Sequence, residues 1–497
     1  MLYDVHDDAP QSPLTEVTRL EIQRISVRSP FGNNRKDFFL TLNYHFKHCK
    51  HLKFLKMSHF ETKALRAGYN PANSAGSSSV PIFQTVSYVF EDTDYAAGVF
   101  NLSRPGYIYT RLNNPTNDIL EQRIAALEGG IGAVVTSSGT SAIATALLTL
   151  LRSGDHIVAS ESLYGGTFNL LNVTLPRFGI TSEFVDPSAP DNFSRAIREN
   201  TRAIFIESLG NPKLDVLDIK AIAAVAKAHR IPLIVDNTVA TPYLLRPLEH
   251  GANIVIHSLT KYAAGNGTTL AGAIIDGGTF DWSNGKYPEF TEPSPGYHGL
   301  VYHDVLGASA FIAKIRIEGL RDLGAALSPF NAFQVIQGLE TLPVRVSKHS
   351  ENALNLARWL EEQDEVAWVN YPGLPSSNYY DLAKQYLPNG QSGLLTIGLK
   401  GGYEAAKIVA NETKLFSLLA NIGDTKSLII HPASTTHQQL SEEDQGASGV
   451  TPDLLRISVG LENIEDLKAD LLQAFQAIYS NSHEKVEEYI NQELSLT

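Results

Sequence analysis

From Ala133 to Asp276 the chain repeats one pattern, a short β-branched run followed by a helical or turn-rich stretch. AVVT (133–136) leads through SSGTSA into the helical TSAIATALLTLL, and HIVAS (156–160) comes next. RAIFIES (202–208) precedes the amphipathic LDIKAIAAVAKAHR, and PLIVDN (232–237), NIVIHS (253–258) and AGAIID (271–276) complete the series. Strands that are apolar at nearly every position need cover on both faces. Alternating with helices, they predict an α/β domain built on a mainly parallel sheet.

The pattern changes beyond about Pro329. The helical SENALNLARWLEEQ (350–363) and IEDLKADLLQAFQAI (464–478) combine with the strand-like LLTIGL (394–399) and LLRISVGL (454–461). They predict a second, smaller α+β domain, and the charged tail NSHEKVEEYINQELSLT reads as a short terminal helix. The stretch 277–304, rich in Gly, Pro and aromatic residues, has no clean period and reads as a long ordered insertion. With 497 residues the chain exceeds the size at which a single core usually divides. The expected division is an appendage at 1–56, an arm at 57–115, a large domain at 116–328 and a small domain with its tail at 329–497.

A net charge of −13 argues against a general nucleic-acid binder, which needs a basic face. No apolar run approaches the roughly 20 residues of a membrane-spanning helix, and the start MLYDVHDDAPQSPL lacks a secretory pattern. The single cysteine, Cys49, rules out an intrachain disulfide framework. These features predict a cytoplasmic protein that binds neither membrane nor nucleic acid. Residues 1–56 hold nine Lys/Arg and six Asp/Glu, whereas the remainder is strongly acidic. Met57 is the one methionine besides Met1, so the change of character there marks it as the expected functional start. The cluster His45, His48, Cys49 and His51 has metal-ligating residue types. It lacks a second ligand pair at zinc-finger spacing, and no metal is expected.

Three constellations carry chemistry. Lys261, in HSLTKY, ends a predicted buried strand, where desolvation lowers the pKa of an amine and makes it nucleophilic. Ser258 and Thr260 beside it offer hydroxyls to a phosphate. Asp236 ends the strand IPLIVD, 25 residues earlier, and a carboxylate there can pair with a protonated ring nitrogen. In SSGTS (137–141), Ser138, Gly139 and Thr140 join a strand to a helix start, which presents unpaired N–H groups to an anion. Taken singly, these are also an ordinary exposed lysine, a turn-capping Asp and a common strand–helix turn. Their conjunction, in this order within one α/β domain, is what carries the reading.

Over about residues 57–478 the chain resembles the Cys/Met-metabolism family of pyridoxal-phosphate enzymes, the cystathionine γ-synthase relatives. That resemblance implies an aspartate-aminotransferase-like fold and pyridoxal 5'-phosphate (PLP) carried on Lys261. It implies that Tyr109 and Arg111, in YTRLNNPT, reach the cofactor phosphate of a neighbouring subunit from the 57–115 arm. A homo-oligomer follows, a tetramer built from dimers. Tyr164 matches the tyrosine that stacks on the cofactor ring, with Tyr164 or Tyr109 assisting catalysis beside Lys261. Asn211, Ser427 and Arg456 match the substrate-binding positions, Arg456 clamping the α-carboxylate with the help of Ser427. The insertion 277–304 is similar to one in the family's O-acetylhomoserine sulfhydrylases. The activity implied is γ-replacement, converting O-acetyl-L-homoserine and sulfide to L-homocysteine and acetate. Cystathionine synthesis or γ-elimination on the same scaffold, and a catalytically inactive binding protein of the same fold, are the alternatives. Family members that are methionine γ-lyases bring a cysteine near the substrate, and this chain has none after Cys49.

Overall fold

The computed structural model describes residues 59–495, apart from position 298 and several positions between 437 and 448. Met57 and the His45–His51 cluster lie outside the described residues. Seven strands form the large sheet: β1 (Gly132–Thr136), β2 (His156–Ser160), β3 (Thr181–Val185), β4 (Thr201–Glu207), β5 (Leu233–Asp236), β6 (Ile254–Ser258) and β7 (Gly272–Asp276). Their order is β1-β7-β6-β5-β4-β2-β3, parallel except where β7 runs against β1 and β6. Alternate residues feed two cores. Leu233, Val235 and Val255 pack on one face, and Ile234, Ile254 and Ile256 on the other. This two-sided burial is why the strands read as continuous apolar runs. The edge strand β3 escapes that logic: it pairs with β2 alone, and its sequence TSEFV carries no apolar run.

Helices α1 (Pro115–Glu128), α2 (Gly139–Leu150) and α3 (Ile219–Ala228) flank the sheet. Asn114 caps α1, and Gly129 ends it at φ 83°, a left-handed turn that glycine adopts without strain. Ser138 caps α2 in a reciprocal box with Ser141. The insertion is held by aromatic packing rather than by a helical or strand period. Trp282, Tyr287 and Phe290 are buried, and Trp282 stacks on Phe311 with ring centroids 5.2 Å apart.

After α4 (Pro329–Glu340), helix α5 (Leu342–Leu360) starts eight residues earlier than its predicted core, with Pro343 in the first turn, where a missing N–H costs nothing. A second sheet holds β8 (Val366–Asn370), β9 (Leu394–Leu399), β10 (Ser417–Leu418), β11 (Leu428–Ile430) and β12 (Leu454–Ser458), in the order β10-β11-β12-β9-β8. Helices α5, α6 (Gly402–Glu412) and α7 (Ile464–Ser495) supply its core with Leu356, Val409, Leu471 and Phe475. The tail therefore continues α7 instead of forming a separate helix. Among the described residues no helix is long and apolar enough to cross a membrane, and no His/Cys/Asp/Glu group is arranged to hold a metal.

Candidate active site

The carboxyl ends of β4, β5 and β6 open onto a cavity of about 370 Å³, the place where open α/β sheets collect ligands. Ser138, Gly139 and Thr140 line it from the start of α2. Tyr164, Asn211, Asp236, Ser258, Thr260 and Lys261 line it from the strand ends and the loops after them, and Arg456 from β12.

Lys261 lies three residues beyond β6, and its Nζ donates to Asn421 Oδ1 at 2.6 Å. Burial lowers its pKa to about 8, helped by the positive charge of Arg456. Roughly a tenth of the amine is therefore neutral, and nucleophilic, at pH 7, far more than for an ordinary lysine. Asp236 Oδ1 accepts from the Thr238 N–H at 3.0 Å and from Thr238 Oγ1 at 2.5 Å. Thr238 Oγ1 in turn accepts the Ser258 N–H at 2.8 Å, so the carboxylate is fixed against β6. Burial raises the Asp236 pKa, and the Thr238 bonds oppose that.

At the head of α2, Ser138 Oγ takes the Ser141 N–H, and the N–H groups of Gly139 and Thr140 precede it in the uncompensated first turn. Gly139 is required there. A Cβ would lie 2.5 Å from Ser258 Cβ, so a side chain would push the helix start away from β6. Ser258 and Thr140 complete an anion seat of hydroxyls and backbone N–H groups. The Thr260 hydroxyl is already engaged: it accepts from Ala271 N at 3.0 Å and donates to Ala271 O at 3.2 Å. The backbone at the start of β7 thus competes with any phosphate for it.

Tyr164 is half-exposed over the cavity, and its N–H donates to Glu207 Oε1 at 2.6 Å. Arg456 is buried, donating through Nη1 to Asn211 Oδ1 at 3.1 Å and through Nη2 to the Asn421 carbonyl at 3.3 Å. Burial lowers its pKa to about 10, and among the described residues no carboxylate pairs with it. A buried guanidinium without a counter-ion is a docking point for an anion.

Three expected residues stand elsewhere. The Ser427 hydroxyl donates to Glu462 Oε2 at 2.9 Å and accepts the Gly460 N–H at 2.8 Å, tying β11 to the turn beyond β12 outside the cavity. The side chain beside Lys261 and Arg456 is instead Asn421, six residues earlier in the same loop. Tyr109 and Arg111 do not line the cavity either. Arg111 lies over the Tyr109 ring, 5.3 Å from its centroid, and donates to the Arg321 carbonyl at 2.5 Å. Glu207, Thr238 and Asn421 were not singled out from the sequence. Glu207 ends an apolar strand just as Asp236 does, a signal that was present. Asn421 has no such mark, because its neighbours belong to an irregular loop.

A nucleophilic amine, a half-buried carboxylate and a helix-start anion seat around one volume are the three fittings PLP needs: a covalent anchor, a ring-nitrogen partner and a phosphate site. The fold and the site together define a PLP-dependent enzyme. The chain belongs to the Cys/Met metabolism PLP-dependent enzyme family, whose model matches residues 61–476. It is 54% identical over 427 residues to the O-acetyl-L-homoserine sulfhydrylase of Leptospira meyeri, covering 84% of this chain and 97% of that protein. It is 50% identical over 425 residues to the homocysteine synthase of Schizosaccharomyces pombe, covering 85% and 99%. Among solved structures it is similar to a putative O-acetylhomoserine (thiol)-lyase from Campylobacter jejuni. That match has a TM-score of 0.82 and 47% identity, covering 84% of this chain and all of that one. The Campylobacter structure carries an N'-pyridoxyl-lysine-5'-monophosphate.

Proposed function

We propose that the enzyme converts O-acetyl-L-homoserine and sulfide to L-homocysteine and acetate. The observation that carries this reading is the meeting of the Arg456 guanidinium, with which no carboxylate among the described residues pairs, the depressed-pKa amine of Lys261 and the half-buried Asp236 carboxylate around one cavity. The sulfhydrylase and homocysteine synthase relatives, matched over nearly their full length, supply the substrate class.

Arg456 binds the α-carboxylate, and Asn211 on its Nη1 fixes the angle of the fork. Bound PLP supplies the electron sink for the charge left at Cα when its proton is removed. Asp236 holds the proton on the ring nitrogen, and Gly139, Thr140 and Ser258 receive the phosphate. Lys261, once exchanged for the substrate amine, would take the Cα proton, give it up, and, neutral again, take one from Cβ, with Asn421 Oδ1 holding its Nζ in place. The Cγ–O bond then breaks and acetate leaves. The sulfur of sulfide bonds to Cγ, and Lys261 returns the protons. Tyr164, its N–H held by Glu207 Oε1, would lie over the ring.

Tyr109 and Arg111 are assigned to the cavity of a neighbouring subunit, and their position outside this chain's own cavity supports that role. A tetramer built from two such dimers, working in the cytoplasm, completes the reading. The reading is tested by offering O-acetyl-L-homoserine with sulfide or with cysteine. Homocysteine forming much faster than cystathionine is the expected result, and the reverse order would overturn the choice of nucleophile.

A further inference from the structure

Two carboxylates stand side by side at the floor of the cavity. Glu207 and Asp236 are direct cross-strand partners at the ends of the parallel strands β4 and β5, and both line the cavity. Glu207 is 4% exposed, and two like charges in such a place cannot both persist. Their surroundings differ. Asp236 receives two hydrogen bonds from Thr238 on a single oxygen, and His257 on β6 adds a favourable charge. Glu207 receives one, from the Tyr164 N–H. Asp215, in the segment after β4, adds a smaller push in the same direction on Glu207. Lys261 and Arg456 face the same cavity from its other walls.

We propose that Glu207 is a positioning residue that stays protonated, holding the Tyr164 backbone through Oε1 and leaving Asp236 as the single negative charge of the pair. The inference rests on the PLP reading of the site and assigns a role to a residue that the reading itself does not require. The electrostatics agree: burial pushes the Glu207 carboxyl well above its ordinary range, with Asp236 adding to the rise and the Tyr164 N–H opposing it. A protonated Glu207 accepts the Tyr164 N–H on one oxygen and keeps a proton on the other, on the side of the cavity it shares with Asp236. A ring-nitrogen cation paired to Asp236 would then meet one counter-charge rather than two.

The test is an infrared difference spectrum between the holoenzyme and its Glu207→Gln variant at pH 7. A carbonyl band of a protonated carboxylic acid, present in the wild type and missing from the variant, is the expected result. No difference in that region would overturn the proposal, and so would a band that survives in Glu207→Gln and disappears in Asp236→Asn. The spectrum needs no turnover, so it reports on Glu207 even if homocysteine formation fails. Kinetics give a second readout. Glu207→Ala loses the Tyr164 contact and should lower kcat about tenfold or more. Glu207→Gln, which keeps the acceptor and a neutral donor, should recover most of that loss, whereas Glu207→Asp, one methylene too short to reach the Tyr164 N–H, should not. A glutamine variant as impaired as the alanine variant would contradict the neutral form.

Discussion

Arg456→Gln removes the buried cation to which the proposed reading assigns the substrate α-carboxylate. Truncating one member of a desolvated charge pair costs about 2–5 kcal/mol, which is roughly a 30- to 4000-fold loss in kcat/KM. The carboxylate is bound alike in the ground and transition states, so the loss should appear mainly as a higher KM. Arg456→Lys keeps the charge but loses the planar fork that Asn211 orients, and should cost about 1.5–3 kcal/mol. A second readout separates charge from shape. The rate at which PLP attaches to cofactor-free enzyme requires the neutral Lys261 amine, so it should rise with pH and level off above about 8. Burial is the first cause of that low pKa and the Arg456 charge the second. Removing the charge raises the amine pKa, so Arg456→Gln should move the transition to higher pH while Arg456→Lys leaves it in place. An unchanged KM in Arg456→Gln, or an attachment profile that does not move, would refute the reasoning.

Asn421→Ala deletes the acceptor that holds Lys261 Nζ at 2.6 Å, and should lower kcat by about 10- to 150-fold. Its KM should change little, because Arg456 meets the backbone carbonyl of Asn421 and not its side chain; steady-state kinetics would show the split. Asp236→Asn removes the charge that the proposed reading pairs with the ring nitrogen, and should lower kcat on the order of 10²-fold with weaker PLP retention, followed by absorbance during dialysis. Trp282→Ala empties the aromatic core of the insertion and should cost about 3–5 kcal/mol of stability, read from the denaturant midpoint; a loss below about 1 kcal/mol would contradict the packing described.

The large sheet was legible because burial on both faces writes itself as unbroken apolar runs, and β1, β2, β4, β5, β6 and β7 all fall where such runs stand. β3 was not, because an edge strand has one partner and can keep Ser182 and Glu183. The central residues of the site were equally legible, since Lys261, Asp236 and the SSGTS turn sit at strand ends or a helix start, where position alone gives them chemistry. Ser427 and Asn421 show the limit. Both lie in one irregular loop, and only the antiparallel pairing of β11 with β12 turns Ser427 toward Glu462 while Asn421 faces Lys261. Which of two nearby polar residues enters a cavity is decided by tertiary register, which local pattern does not carry.

The most direct test of the account is to load the enzyme with PLP, supply O-acetyl-L-homoserine and sulfide, and follow homocysteine in the wild type and in Lys261→Ala. The account expects rapid homocysteine formation in the wild type, and neither product nor covalently held cofactor in a folded Lys261→Ala enzyme. Homocysteine formed at similar rates by both, or by neither while the wild type holds its cofactor on Lys261, would contradict it.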